Sequence, residues 1–156
     1  MNLKNNYKNI ITKTISKVAL ITLNRPESLN ALSKDLIADL NDALDSIENN
    51  ENISVIVITG SKKAFAAGAD IKEMENKTFI DLINNDFIKP WEQISYCSKP
   101  TIAAVEGYAL GGGCELCLHA DKVIAHAETY IGLVEFGIGV IPAGGGTKEF
   151  VVRLND

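Results

Sequence analysis

The chain contains 156 residues, 46% of them hydrophobic and 22% charged, and carries a formal net charge of −5. This length and composition predict a single globular domain over residues 1–156, and they exclude membrane spans because no apolar run reaches about 18 residues. The acidic balance and the lack of a basic cluster argue against nucleic acid as a partner.

The amino terminus is polar. It has neither the apolar core of a signal peptide nor an arginine typical of a transit peptide. We therefore expect residues 1–9 to be loosely ordered and the protein to be cytoplasmic.

The first predicted element is a strand over Val18–Leu23, a nearly continuous apolar run typical of a strand covered on both faces. After it, apolar residues at three- and four-residue spacing predict an amphipathic helix over Ser33–Asn49, with Ser33 as its N-cap. Another apolar, β-branched run predicts a strand over Ile53–Thr59.

The pattern then repeats. A helix is predicted over Thr78–Ser95, with a bend near Pro90, and a further strand over Thr101–Val105. Strands alternating with helices in this way predict the α/β class.

A glycine-rich stretch with two acids is the main candidate for chemistry. Gly111–Gly113 let the backbone approach a ligand closely, and a helix predicted from Cys114 to about Ala120 would direct its positive end to the same place. Such a site suits a substrate oxygen that gains negative charge, with the carboxylates of Glu115 and Glu135 moving protons beside it.

Spacing alone leaves simpler interpretations open. Glu115 is more simply a first-turn acid that complements the helix dipole, and Glu135 an exposed loop acid. Asp70 is most simply the cap of the turn that follows it, and Lys72 a solvated surface charge.

A C-x-x-C pair, Cys114 and Cys117, raises a redox or metal site as an alternative, because His119 and His126 follow closely. The spacing to the histidines does not match a zinc finger, and no second C-x-x-C exists. Small buried side chains are the more usual role for such cysteines, so no metal is predicted.

Four segments in this order resemble the crotonase superfamily, and within it enoyl-CoA hydratase. The resemblance runs from about Val18 to Arg153 and implies a spiral of ββα units, an α/β fold that periodicity alone does not predict. The segments are Ala64–Met74, Lys99–Val105, Gly107–Leu116 and Gly137–Pro142.

The resemblance implies syn addition of water to the 2,3 double bond of a trans-2-enoyl-CoA, giving a 3-hydroxyacyl-CoA, as in fatty acid β-oxidation. By the same resemblance, Glu115 would be the base, Glu135 the acid that protonates the α-carbon, and the N–H groups of Ala69 and Gly112 the oxyanion hole. The implied substrate contacts are Ala67, Ala69, Asp70, Ile71, Lys72 and Gly112.

The resemblance also implies partners. Coenzyme A would arrive as part of the acyl-CoA substrate, so no separate cofactor is expected, and the family's assembly implies a homo-oligomer, either a trimer or a dimer of trimers.

Family members continue through a helical C-terminal region, whereas this chain ends at Asp156, just after a helix predicted to begin at about Gly145. That region closes the acyl pocket, adds coenzyme A contacts and helps to build the trimer, so we expect the chain to lack these parts and to expose apolar surface. A non-catalytic acyl-CoA-binding or assembly remnant is therefore the alternative to a working hydratase.

Overall fold

The strands form two sheets in the computed structural model, which describes residues 3–4, 6–75, 78, 80–81 and 88–153. The larger sheet has the order β1 (Ile10–Ile15), β2 (Val18–Leu23), β3 (Val55–Thr59), β5 (Thr101–Val105) and β7 (Lys122–Ala125). The smaller sheet has the order β4 (Ala64–Ala66), β6 (Tyr108–Leu110) and β8 (Tyr130–Gly132).

The chain adds strands to the two sheets in turn. β1 and β2 pair antiparallel, and every other described pair of neighbouring strands is parallel. Along the chain, each strand of the smaller sheet comes directly after a strand of the larger sheet. A helical segment follows each of these two-strand units. The predicted α/β class and the spiral of ββα units are therefore confirmed.

The helices fill the connections between these strands. None in the described part of the chain has the length and apolar character that crossing a lipid bilayer requires. The α-helices are α1 (Lys34–Glu48), α2 (Ile71–Met74), α3 (Gly112–Leu118) and α4 (Gly146–Arg153), and the 3₁₀ helices are Pro26–Ser28, Lys89–Tyr96 and Glu135–Ile138.

Helix α1 follows the sequence prediction closely. Its N-cap is Ser33, whose hydroxyl oxygen accepts a hydrogen bond from the Leu36 N–H at 3.2 Å. The apolar positions of the helix are buried in the central core together with alternate residues of β2 and β3. They are Leu36, Ile37, Leu40, Ala43, Leu44 and Ile47.

Other predicted boundaries differ from the structure. The strand expected over Ile53–Thr59 begins two residues later, at Val55. Part of the helix expected over Thr78–Ser95 lies outside the described residues, and its described C-terminal part is the 3₁₀ helix Lys89–Tyr96.

The start of the chain contacts α1. Residues 1, 2 and 5 lie outside the described residues, so loose order over residues 1–9 stays a prediction. Lys4 and Tyr7 each donate a hydrogen bond to Asp42 Oδ2 at 2.8 Å, and the Asn9 backbone N–H donates to Asp39 Oδ2 at 2.9 Å.

Helix α3 begins earlier than predicted, at Gly112 and not at Cys114. The physical reason is close packing of its first turn on β4. A Cβ built on Gly113 would be only 1.9 Å from the carbonyl oxygen of Ala66, so this turn can lie against the strand only where the helix lacks a side chain. Glycine, usually unfavourable within a helix, is here the residue that permits the contact.

We predict that Gly113→Ala destabilises the protein by about 1–3 kcal/mol, because the added methyl group overpacks the contact with β4. In an unconstrained helix the same change would stabilise by about 1 kcal/mol. Urea unfolding checks the sign. Gly137→Ala is the control, because a Cβ there meets nothing within 4 Å, and equal free energies of unfolding for the two variants would contradict the packing argument.

Candidate functional site

A cavity of about 540 Å³ lies where three segments of the chain converge. The segments are the loop after β4, the start of α3 and the 3₁₀ helix that follows β8, with the 3₁₀ helix Lys89–Tyr96 closing one side. The lining is mostly apolar, with two carboxylates. It comprises Ala67, Gly68, Ala69, Ile71, Met74, Ile88, Trp91, Gly111, Gly112, Glu115, Val134, Glu135, Ile138, Val140, Ile141 and Ala143.

The loop after β4 is hydrogen-bonded to Leu32 through the residues on either side of Ala69. Leu32 N–H donates to Gly68 O at 2.8 Å and Asp70 N–H donates to Leu32 O at 3.1 Å, which together form a short parallel bridge between Leu32 and Ala69. Backbone groups alternate in direction along such a bridge. The N–H of Ala69 therefore faces away from Leu32, on the side of the cavity.

The first turn of α3 brings a second backbone donor beside Ala69. Gly112 is the first residue of the helix, so its N–H has no acceptor within the helix. A Cβ built on Gly112 would lie 3.4 Å from the Ala69 nitrogen and 2.6 Å from the Trp91 ring. The two backbone segments are thus in direct proximity, under the edge of an indole that leaves no room for a side chain.

Glu115 lies one turn further along α3 and is only 3% exposed. Its Oε1 accepts a hydrogen bond from the Gly146 N–H at 3.0 Å. Burial raises the pKa of the Glu115 carboxyl above its ordinary value, the Gly146 N–H opposes this rise, and the charge of Glu135 adds to it.

Glu135 reaches the cavity from the opposite side, at the start of the 3₁₀ helix after β8. A Cβ built on Gly111 would be 3.0 Å from its Oε1, so its carboxylate lies directly against the turn before α3. Its Oε2 is buried and has no hydrogen-bond partner within the described residues. The carboxylate therefore has an acceptor that a ligand can use.

The predicted substrate-contact residues divide into two groups. Ala67, Ala69, Ile71 and Gly112 line the cavity, whereas Asp70 and Lys72 are not among the lining residues. Asp70 accepts the Lys72 N–H at 3.2 Å and so caps α2, as spacing alone indicates.

The sequence did not indicate that Arg25 lies beside the site. Its guanidinium lies 3.0 Å from Asp70 Oδ2, and both side chains are less than one fifth exposed. It also donates to Ala31 O at 2.6 Å. Arg25 therefore ties the loop that carries Ala69 to the segment after β2, and its only sequence signal was its place directly after that strand.

Trp91 was missed as well. It is 3% exposed, lines the cavity and lies over Gly112. It is the only tryptophan in the chain, and this rarity was the one feature that could have singled it out.

Both cysteines of the C-x-x-C pair are fully buried in α3 as free thiols. Contact with the Cys114 side chain, and then burial, raises the pKa of the Cys117 thiol above its ordinary value. Metal binding and disulfide exchange both require the thiolate, so this environment opposes them. Among the described residues, no three His, Cys, Asp or Glu side chains form a cluster that could hold a metal ion.

Comparison with known proteins gives consistent matches. The Enoyl-CoA hydratase/isomerase family model matches residues 13–154. The chain is 49% identical over 148 residues to the "Probable enoyl-CoA hydratase, mitochondrial" of Dictyostelium discoideum, covering 93% of this chain and 53% of that protein. It is 47% identical over 147 residues to the "Enoyl-CoA hydratase, mitochondrial" of Pongo abelii, covering 92% and 51% respectively.

A solved structure gives the same result for the fold. The crystal structure of an enoyl-CoA hydratase subunit from Geobacillus kaustophilus HTA426 superposes with a TM-score of 0.89 at 39% identity, covering 94% of this chain and 57% of that one. The crotonase-like fold is therefore confirmed. The chain spans about half the length of the curated relatives it matches.

The raised pKa of Glu115 predicts a pH dependence of stability. The folded state holds the Glu115 proton to a higher pH than the unfolded state does, so the free energy of unfolding falls as pH rises from the unfolded pKa through the folded one. Glu115→Gln removes this titration, and we expect the variant to lose less stability over that interval.

Urea unfolding at a series of values from about pH 4 to about pH 8 measures this difference. Glu128→Gln, which removes an exposed carboxylate, controls for the loss of one charge. Parallel pH profiles for the parent chain and Glu115→Gln would mean that burial of this carboxyl has no energetic consequence.

Proposed function

Because the chain belongs to the enoyl-CoA hydratase/isomerase family, we propose that it adds water to the 2,3 double bond of a trans-2-enoyl-CoA, giving a 3-hydroxyacyl-CoA. One observation carries the proposal: the adjacent backbone segments at Ala69 and Gly112 and the carboxylates of Glu115 and Glu135 line the same apolar cavity. Conjugate addition of water to a thioester needs these groups together. A role in fatty acid β-oxidation follows from this chemistry as part of the proposal.

The backbone donors would act on the thioester carbonyl. As water attacks the β-carbon, electron density moves to the carbonyl oxygen and an enolate-like oxyanion forms. The N–H groups of Ala69 and Gly112 would donate to this oxygen. Each donor of this kind contributes about 3 kcal/mol to stabilisation of the transition state, because it is already oriented in a site that excludes water.

The carboxylates would move the protons. Glu115, as the base, takes a proton from the attacking water while the water oxygen bonds to the β-carbon, and Glu135, as the acid, gives a proton to the α-carbon. Delivery of both parts of water from one face makes the addition syn. The raised pKa of Glu115 makes its carboxylate a stronger base than an ordinary carboxylate, which suits the acceptance of a proton from water.

The cavity wall suits the remainder of the substrate. Aliphatic side chains and Trp91 form most of the lining and would hold the acyl chain. The backbone of the loop around Ala67 to Lys72 would contact the coenzyme A part, which arrives with the substrate, so we propose no separate cofactor. A cytoplasmic location and a homo-oligomer, either a trimer or a dimer of trimers, belong to the same proposal.

Glu115→Gln and Glu135→Gln test the proton transfers. We expect each to lower kcat for crotonyl-CoA by roughly a hundredfold to ten-thousandfold, because each removes one proton-transfer group. Loss of the absorbance of the conjugated thioester measures turnover, and Glu128→Gln serves as the control for an acid outside the cavity. Binding of acyl-CoA without turnover by the folded parent chain would instead support the non-catalytic binding module.

Gly112→Ala tests the backbone donors. The new methyl group would meet the Trp91 ring and lie 3.4 Å from the Ala69 nitrogen, close to the donors that the oxyanion needs. We expect kcat to fall by about a hundredfold to a thousandfold. Gly137→Ala, where a Cβ meets nothing within 4 Å, should leave kcat unchanged, and a Gly112→Ala enzyme as active as this control would contradict the assigned oxyanion hole.

A further inference from the structure

Helix α3 contacts the segment Gly144–Gly146 at two points. Glu115 and His119 are four residues apart and therefore lie on the same side of the helix. Glu115 Oε1 accepts the Gly146 N–H at 3.0 Å, and His119 Nε2 lies 2.9 Å from the Gly144 carbonyl oxygen. The two side chains thus hold the two ends of a three-residue segment.

This segment fits tightly under the helix. A Cβ built on Gly144 would lie 2.6 Å from Glu115 Oε2, and one built on Gly146 would lie 2.9 Å from Glu115 Cγ. Gly145 has a φ of +91° and a Cβ position 3.5 Å from His119 Cε1. The glycines let the backbone come within hydrogen-bond distance of both side chains, and Gly145 adopts its left-handed conformation without the strain that a side chain would bring.

The hydrogen bonds fix the proton of His119. A carbonyl oxygen only accepts, so Nε2 must carry the hydrogen and donate it to Gly144 O. Nδ1 lies 3.0 Å from the Ser95 Oγ, and the Ser95 hydroxyl also donates to the His119 carbonyl oxygen at 3.3 Å. His119 is half-buried and held on both sides of its ring, so the donor to Gly144 has one orientation.

We propose that His119 is a positioning residue for Glu115. By holding the Gly144 carbonyl, it fixes the Gly144–Gly146 segment so that the Gly146 N–H points at the Glu115 carboxylate. That N–H and the backbone N–H of Gly144 both lower the pKa of Glu115 against the effect of burial. Within the described residues, two charged groups act on the Glu115 carboxyl: Glu135 raises its pKa, and His119 lowers it.

The positioning role of His119 rests on the proposed function only in its expected effect on catalysis. Loss of the Gly144 contact should let the segment move, so that Glu115 loses its donor and becomes harder to ionise. The acid limb of the kcat/KM profile should then move to higher pH, and kcat should fall roughly tenfold to a hundredfold, while KM changes little.

Three variants separate positioning from general support of the fold. His119→Leu removes both ring contacts. His119→Gln has an amide N–H at about the position of Nε2 and should restore the Gly144 contact without any charge. His126→Leu is the matched control, because His126 is exposed and, in the described structure, its hydrogen bonds are with Val105, Glu128 and Thr129, all outside the cavity.

The first readout does not need activity. Amide hydrogen exchange of Gly146, followed by NMR, should accelerate in His119→Leu and stay close to the parent rate in His119→Gln and His126→Leu. If His119→Leu does not fold, His119→Asn, whose shorter amide cannot reach Gly144, replaces it. An unchanged Gly146 exchange rate in the folded variant lacking the contact would overturn the proposal, whether or not the chain turns over crotonyl-CoA.

The second readout is the pH profile of crotonyl-CoA hydration. We expect the shifted acid limb in His119→Leu and its recovery in His119→Gln. A drop in activity with an unmoved acid limb would overturn positioning in favour of structural support alone. A limb that stays shifted in His119→Gln would overturn it in favour of a direct effect of the His119 charge on Glu115. A parent chain without turnover would refute the proposed function, and the exchange rate of Gly146 would still decide the role of His119.

Discussion

The close approach of α3 to β4 is the contact on which the rest of the site depends. Gly113 lies against the Ala66 carbonyl, where no side chain fits. This contact sets the position of the helix and therefore of Gly112, whose N–H comes beside Ala69, and of Glu115 one turn later. A helix even one methyl group further from the strand would separate the two backbone donors and withdraw the carboxylate from the cavity.

Burial of the Glu115 carboxylate costs free energy, and a hydrogen bond within the site partly compensates for this cost. Glu115 is buried among apolar neighbours, which disfavours its charge, and the backbone N–H of Gly146 partly offsets this. Glu135 keeps one buried oxygen without a protein partner. The two acids therefore differ in environment, and such a difference is what allows two chemically identical groups to take opposite roles in proton transfer.

The sequence predicted local features well. The strand over Val18–Leu23 and the helix capped by Ser33 depend on periodicity and a cap, which are properties of neighbouring residues. β4, β6 and β8 have three residues each, too few for a periodic signal, and were not predicted from pattern. The approach of Trp91 to Gly112 and of His119 to Gly144 joins residues far apart in sequence, so only the three-dimensional arrangement reveals it.

The parallel spiral has a consequence for the order in which the protein forms. Only the β1–β2 hairpin pairs neighbouring strands through a tight turn, whereas the parallel pairs of the described chain each close a long loop. Such topologies have a high contact order and fold slowly. During synthesis the hairpin leaves the ribosome before Gly146, the residue that donates a hydrogen bond to Glu115. The cavity can therefore be completed only after the chain has been made as far as Gly146, and until then its apolar wall is open to chaperones.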